Sequence, residues 1–161
     1  MEIYLLRHGI AEDAPPGMAD SDRALTPEGR QKLKRVLARA RAAGVEPSLI
    51  LSSPYRRALE TAAAAAESLG YHGKIAQTSA LVPNAAPQAV WGEIRTHRTE
   101  ESLLLSSHEP LMSSLLALLL NSPALRVDFK KAGLARVDCD RFGAEPYGVL
   151  KWMLTPGTSG E

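Results

Sequence analysis

Short, almost wholly apolar runs alternate with amphipathic stretches along this chain. "IYLL" (3–6), "SLILS" (48–52) and "SLLLS" (102–106) are runs of strand type. Between the first two, Leu33, Val36, Leu37 and Ala40 recur at helical spacing and make one apolar stripe. Thr26-Pro27-Glu28 predicts the start of that helix, with Thr26 as cap and Pro27 in the first helical position, and Gly44 predicts its stop. Ser53-Pro54 repeats the cap-and-proline signal and opens an alanine-rich helix that runs to about Leu69 and ends at Gly70. The alanines at 62–66 are strong helix formers whose small side chains permit close packing on a sheet.

The remaining pattern is of the same kind. A weak strand at 74–77 precedes a helix around 86–97, and another helix opens at Pro110 and closes near Asn121. "LARVDC" (134–139) and "GVLKWML" (148–154) predict two final strands, joined as a hairpin around Gly143 to Pro146. The segment 9–25, rich in Pro, Gly and Asp, is expected to be irregular. Strands alternating with helices predict a three-layer α/β/α sandwich with a mostly parallel central sheet. Neither a repeat nor a linker interrupts the pattern, so 1–154 is expected to be one domain and 155–161 a mobile polar tail.

Composition narrows the function classes. With 45% hydrophobic and 23% charged residues, the 161-residue chain is ordinary for a globular domain. A formal net charge of +1 gives no general attraction to nucleic acid or to an anionic membrane. Glu2 and Arg7 interrupt what would have to be a signal-peptide core, and "LMSSLLALLL" (111–120) is far short of the roughly 20 residues a spanning helix needs. The single cysteine, Cys139, excludes an internal disulfide and fits a reducing compartment, so a cytoplasmic location is expected. His8, His72, His97 and His108 show no ligand spacing, and neither metal nor cofactor is expected.

Three of the strand-type runs end in polar motifs. The first ends in Arg7-His8-Gly9, the second leads into "SSPYRRALET" (52–61), and the third into "SSHEP" (106–110). In an open parallel sheet the carboxyl ends of the strands share one edge, and ligands bind in the crevice there. Two histidines, the arginines and two helix N-termini would then share a pocket suited to a dianion, since guanidinium forks match phosphate oxygens. Taken singly, His108 reads equally as a hydrogen-bonded structural residue, and Arg56 and Arg57 as a solvated helix face.

Together and in this order, Arg7-His8-Gly9, Ser53-Pro54-Tyr55-Arg56-Arg57-Ala58-Leu59-Glu60-Thr61 and Ser107-His108 resemble the signature of the histidine phosphatase superfamily. "LRHGIAED", "LTPEGR" and "SSHEPLM" are similar to its short branch of SixA-type phosphohistidine phosphatases. The resemblance implies a phosphoglycerate mutase-like fold and His8 as a nucleophile that carries the phosphoryl group. It further implies Arg7, Arg57 and His108 as catalytic residues that bind phosphate, with Gly9 and Glu109 among the phosphate-contacting positions. Backbone N–H groups at the start of the helix after His108 are expected to add donors. The motif arginine falls on Arg57, and adjacent helical residues point about 100° apart, so Arg56 is expected to face elsewhere.

One departure bears on the substrate. Many relatives place a carboxylic general acid after the third strand, where this chain reads "SALVPNAAPQAV" (79–90) with no acid. Glu12, Asp13 and Glu109 do not stand at that position. An alkoxide leaving group needs such help, typically worth 10²–10⁴-fold, whereas imidazole, with a conjugate-acid pKa of about 6.5, can leave already protonated. The expected activity is therefore hydrolysis of a protein-borne phosphohistidine, for example on a phosphotransfer domain. The alternatives are a small-molecule phosphomonoester phosphatase with Glu109 or a loop carboxylate as acid, and a phosphate-binding module without turnover. No segment is long enough for a mutase-type lid except 9–25, so an open cleft is expected.

Overall fold

A computed structural model describes residues 1–160. Six strands and four helices follow one another as β1 (Glu2–Arg7), α1 (Pro27–Ala42), β2 (Leu49–Ser52), α2 (Arg56–Leu69), β3 (Ile75–Gln77), α3 (Pro87–Thr96), β4 (Ser102–Ser107), α4 (Leu111–Leu119), β5 (Leu134–Asp138) and β6 (Val149–Leu154). They form one sheet in the order β3-β2-β4-β1-β5-β6. The first four of these strands run parallel, while β5 and β6 are antiparallel additions. The expected mostly parallel α/β/α sandwich is the observed fold.

Strand alternation explains the layers. Successive side chains of a strand point to opposite faces. Ile3 and Leu5 of β1, with Leu103 and Leu105 of β4, enter a core with Val90, Trp91 and Ile94 of α3 and Leu115 and Leu119 of α4. Tyr4 and Leu6, with Leu104 and Ile50, enter the opposite core with Leu33, Val36, Leu37 and Ala40 of α1 and Ala62 and Ala65 of α2. Both faces of the central strands are therefore buried, as a parallel sheet requires. The α1 stripe is the one read from the sequence, and Thr26 Oγ1 caps the helix by accepting from Gly29 N at 2.9 Å.

One local reading changes, at the start of α2. α2 starts at Arg56 rather than at Pro54, with Tyr55 as an N-cap that offers no side-chain hydrogen bond. The Ser53 hydroxyl instead accepts from Tyr55 N at 3.2 Å and meets His108 Nε2 at 2.8 Å, which draws it from helix capping into the site. The polar tail also has local order, with Pro156–Thr158 forming a 3₁₀ turn against α1. Of the expected mobile tail 155–161, Glu161 lies outside the described residues.

Segment 9–25 is tethered despite its composition. Ala11 bridges Leu25, Glu12 N donates to Ala24 O, and Thr26 N donates to Ile10 O. Within it, Asp20–Asp22 forms a 3₁₀ turn that reaches α2.

Candidate active site

The carboxyl ends of β1, β2 and β4 lie side by side because Arg7 pairs in register with Ser107 and Ser52 with Ser106. His8 follows β1 directly and is fixed through its backbone, its N–H donating to Ser107 O and its carbonyl accepting from Ala132 N. His108 follows β4, and its ring meets that of His8 edge to face at 5.1 Å between centroids. Arg57 reaches in from the first turn of α2, with Nε donating to His8 Nε2 at 3.3 Å. Arg7, His8, Arg57 and His108, all four named in the sequence analysis, thus gather at one edge of the sheet.

The chemistry of His8 is set by its neighbours. Its Nδ1 lies 2.7 Å from Gly9 O, which can only accept, so the ring proton sits on Nδ1. Nε2 then carries the free lone pair, directed toward Arg57. His8 is 8% exposed, and burial pulls its pKa down to about 4; the Gly9 carbonyl opposes this, while Arg57, Arg7 and Lys131 add to it. His108, 1% exposed, falls to about 3, chiefly through burial and then through His8 and Arg57. Both imidazoles are thereby held neutral at pH 7, which leaves His8 Nε2 a lone pair able to act as a nucleophile.

The cations are anchored by backbone and carboxylate oxygens. Arg7 Nη1 donates to Phe129 O at 2.7 Å, and burial lowers its pKa against the opposing charges of Glu109 and Asp128. Arg57, 5% exposed, donates from Nη1 to Asp20 O at 2.8 Å and from Nη2 to Asp20 Oδ2 at 3.1 Å. Its guanidinium carbon also lies 5.1 Å from the centre of the Tyr55 ring, which meets His108 edge to face on another side. Arg7 Nε and His108 Nδ1 are buried polar atoms without a hydrogen-bond partner, each costing about 1–3 kcal/mol while it stays so. Arg56 faces away, with Nε 3.6 Å from Glu60 Oε2.

Two residues named with the phosphate contacts are engaged differently in this structure. The Gly9 N–H donates to Thr61 Oγ1 at 3.2 Å and its carbonyl accepts from His8 Nδ1, so Gly9 orients the His8 ring. Glu109 Oε1 accepts from Ser113 N at 2.6 Å and caps α4. Met112 N and Ser114 N are likewise taken, by His108 O and Pro110 O. The expected donors at the start of α4 are thus largely committed to the residues just before the helix, where the His108 and Pro110 carbonyls and the Glu109 carboxylate accept from N–H groups that the helix itself leaves open.

Sequence reasoning missed Asp20. A carboxylate in an irregular loop carries no periodic signal, and its partner Arg57 lies 37 residues away. Ser53, Tyr55 and Thr61 stood inside the quoted motif without an assigned role. Asp20 is held below the usual carboxylate range by its hydrogen bond to Arg23 and, against the opposing effect of burial, by Arg57. Among the described residues no group of three or more His, Cys, Asp or Glu side chains could hold a metal ion. Nor is any described helix long and apolar enough to cross a membrane.

Comparison with known proteins places this geometry in context. A family model described as histidine phosphatase superfamily (branch 1) matches residues 3–82. An uncharacterized protein of Picosynechococcus is 33% identical over 136 residues, covering 83% of this chain and 82% of that protein. The phosphohistidine phosphatase SixA of Escherichia coli is 27% identical over 164 residues, covering 97% and 94%. The solved structure of the protein histidine phosphatase SixA complexed with tungstate superposes with a TM-score of 0.85 at 25% identity, over 98% of both chains.

Proposed function

This chain belongs to the histidine phosphatase superfamily, and from that membership we propose that it hydrolyses phosphohistidine carried on another protein. In this reading His8 Nε2 attacks phosphorus in line, the N–P bond to the substrate imidazole breaks, and the phosphoryl group rests on His8. Water then attacks phosphorus, the bond to His8 breaks, and phosphate leaves. Arg7 and Arg57 offset the charge on the equatorial oxygens, where it is spread in a loose transition state. The unpartnered Arg7 Nε supports an oxyanion beside it, and a relative binds tungstate, a tetrahedral oxyanion.

The observation that carries the substrate choice is the state of the nearby carboxylates. Asp20 is held ionised by Arg23 and Arg57, and a carboxylate with depressed proton affinity is a poor acid. Glu109 is turned onto the N-terminus of α4. A leaving alkoxide would find no proton there, whereas a phosphohistidine that carries a proton on its second ring nitrogen releases neutral imidazole without an acid from the enzyme.

The test is a series of leaving groups. kcat/KM should fall steeply as leaving-group pKa rises, with phosphoramidates and activated aryl phosphates turned over and alkyl phosphates almost untouched. Asp20→Asn and Glu109→Gln should leave that slope unchanged. Efficient hydrolysis of alkyl phosphates that collapses in either variant would identify an acid and favour a small-molecule phosphomonoesterase.

A further inference from the structure

We propose that the cleft adjoining Arg7 is a docking subsite for carboxylates that flank the phosphohistidine on an acidic partner protein. The proposal rests on the phosphohistidine reading and says which surface of such a partner fits. The cleft, about 560 Å³, lies between α1, the turn before β5 and the 3₁₀ turn after β6, and it shares Arg7 with the phosphate site. Lys32, Lys130 and Lys131 line it together with Arg7, against a single lining carboxylate, Asp128.

The positive charge is a local concentration, since the whole chain carries only +1. It is partly offset, with Lys130 paired to Asp128 at 2.7 Å and Lys32 to Glu28 at 3.0 Å. Lys131 precedes Ala132, whose N–H donates to the His8 carbonyl at 3.1 Å, so one cation of the cleft stands beside the His8 turn. An anionic group held there would lie beside the phosphoryl group on the substrate.

The construction of the cleft selects the class of ligand. Small-molecule subsites fix orientation with a few well-placed, rigid polar groups. Here the ammonium groups of Lys32 and Lys130 stand on stems whose side chains are 38% and 60% exposed, above apolar surface from Ile10, Ala132 and Pro156. Mobile cations over an apolar floor suit the adaptable side chains of an acidic protein surface, drawn in by long-range attraction. If the phosphohistidine sits on a helix, residues three and four positions away share its face at about 5–6 Å between Cβ atoms. Glutamates at those positions would face the cleft when the phosphoryl group lies between Arg7 and Arg57.

The experiment compares three substrates: free phosphohistidine, a phosphohistidine helical peptide with Glu at the flanking positions, and the same peptide with Gln. Exposed ion pairs each change binding by roughly 1.4- to 5-fold. The Glu peptide should therefore exceed the Gln peptide by about 10-fold in kcat/KM at low salt, and the preference should shrink as salt shortens the screening length to about 8 Å at 0.15 M. The double variant Lys32→Glu with Lys130→Glu should abolish that preference and reverse it toward a Lys-flanked peptide. It should hydrolyse free phosphohistidine within about twofold of wild type, because the two lysines pair with Glu28 and Asp128 and make no hydrogen bond or ion pair with Arg7, His8, Arg57 or His108. Equal turnover of Glu and Gln peptides, or parallel loss on all three substrates, would overturn the docking proposal alone. Failure of the wild-type protein to hydrolyse any of the three would overturn the phosphohistidine reading, and this subsite with it.

Discussion

Acid should destabilise this protein well above the pH at which its carboxylates titrate, because the fold holds two histidines neutral. An unfolded histidine has a pKa of about 6.5, whereas His8 in the fold is at about 4 and His108 at about 3. Below pH 6.5 the unfolded chain binds protons that the native state refuses, so unfolding free energy falls as pH falls. Each group contributes its stability fully above pH 6.5 and loses it as pH drops toward its native pKa. Between pH 7 and about 4.5 the two imidazoles together should cost the fold on the order of a few kcal/mol, at up to about 1 kcal/mol per pH unit for each. Against a typical domain stability of about 5–15 kcal/mol, that is a large share. Asp20, with its lowered pKa, loses its contribution only as pH falls through and below the ordinary carboxylate value, outside this window. Urea unfolding at pH 7, 6, 5 and 4.5 should show wild type losing stability more steeply than His8→Asn or His108→Asn. Parallel losses in wild type and His8→Asn would refute the claim that burial holds this imidazole neutral.

Three further outcomes follow from the site. Arg57→Ala should reduce kcat/KM by about 10²–10³, the usual consequence of losing a preorganised charge donor, while Arg56→Ala, which breaks only an exposed contact to Glu60, should change it less than twofold. Asp20→Ala removes the carboxylate that holds Arg57 Nη2 and should lower kcat/KM about tenfold; Asp20 is 58% exposed, so solvent screens its repulsion of phosphate and the loss of positioning dominates. A rise in kcat/KM for this variant would show that repulsion is the larger effect. Dialysis against EDTA should leave activity unchanged, and recovery that depended on added Mg²⁺ or Zn²⁺ would mean that the proposed metal-independent chemistry is wrong.

Local signals were legible wherever one segment contained both the cause and the effect. The α1 stripe with its Thr26 cap, the alanine face of α2 and the short runs of β1, β2 and β4 gave the helices, the strands and the α/β class, since periodicity and capping act over a few residues. Strand ends of a parallel sheet share an edge, which pointed to Arg7-His8-Gly9, to Arg56 or Arg57 and to His108 as one candidate site, and the resemblance to the histidine phosphatase signature chose Arg57. The roles of Gly9 and Glu109 were less legible. A motif names a residue but not which of its atoms faces the ligand, and Thr61 and Ser113 decide that.

Asp20 shows the remaining gap. Nothing in the composition of segment 9–25 says that its 3₁₀ turn will lie against α2, or that a loop carboxylate will hold Arg57. Nor does the order of the chain bring Lys32, Lys131 and the turn at Pro156 around one cleft. The sequence by itself determined the secondary elements, the mostly parallel sheet and the polar motifs that follow β1, β2 and β4, because period-2 and period-3.6 patterns and short motifs are local properties. Only the tertiary structure decided the protonation of His8 and His108, the partner of Arg57 and the position of the lysine cleft. Each of these depends on burial and on contacts between side chains far apart in the chain, which no local pattern encodes.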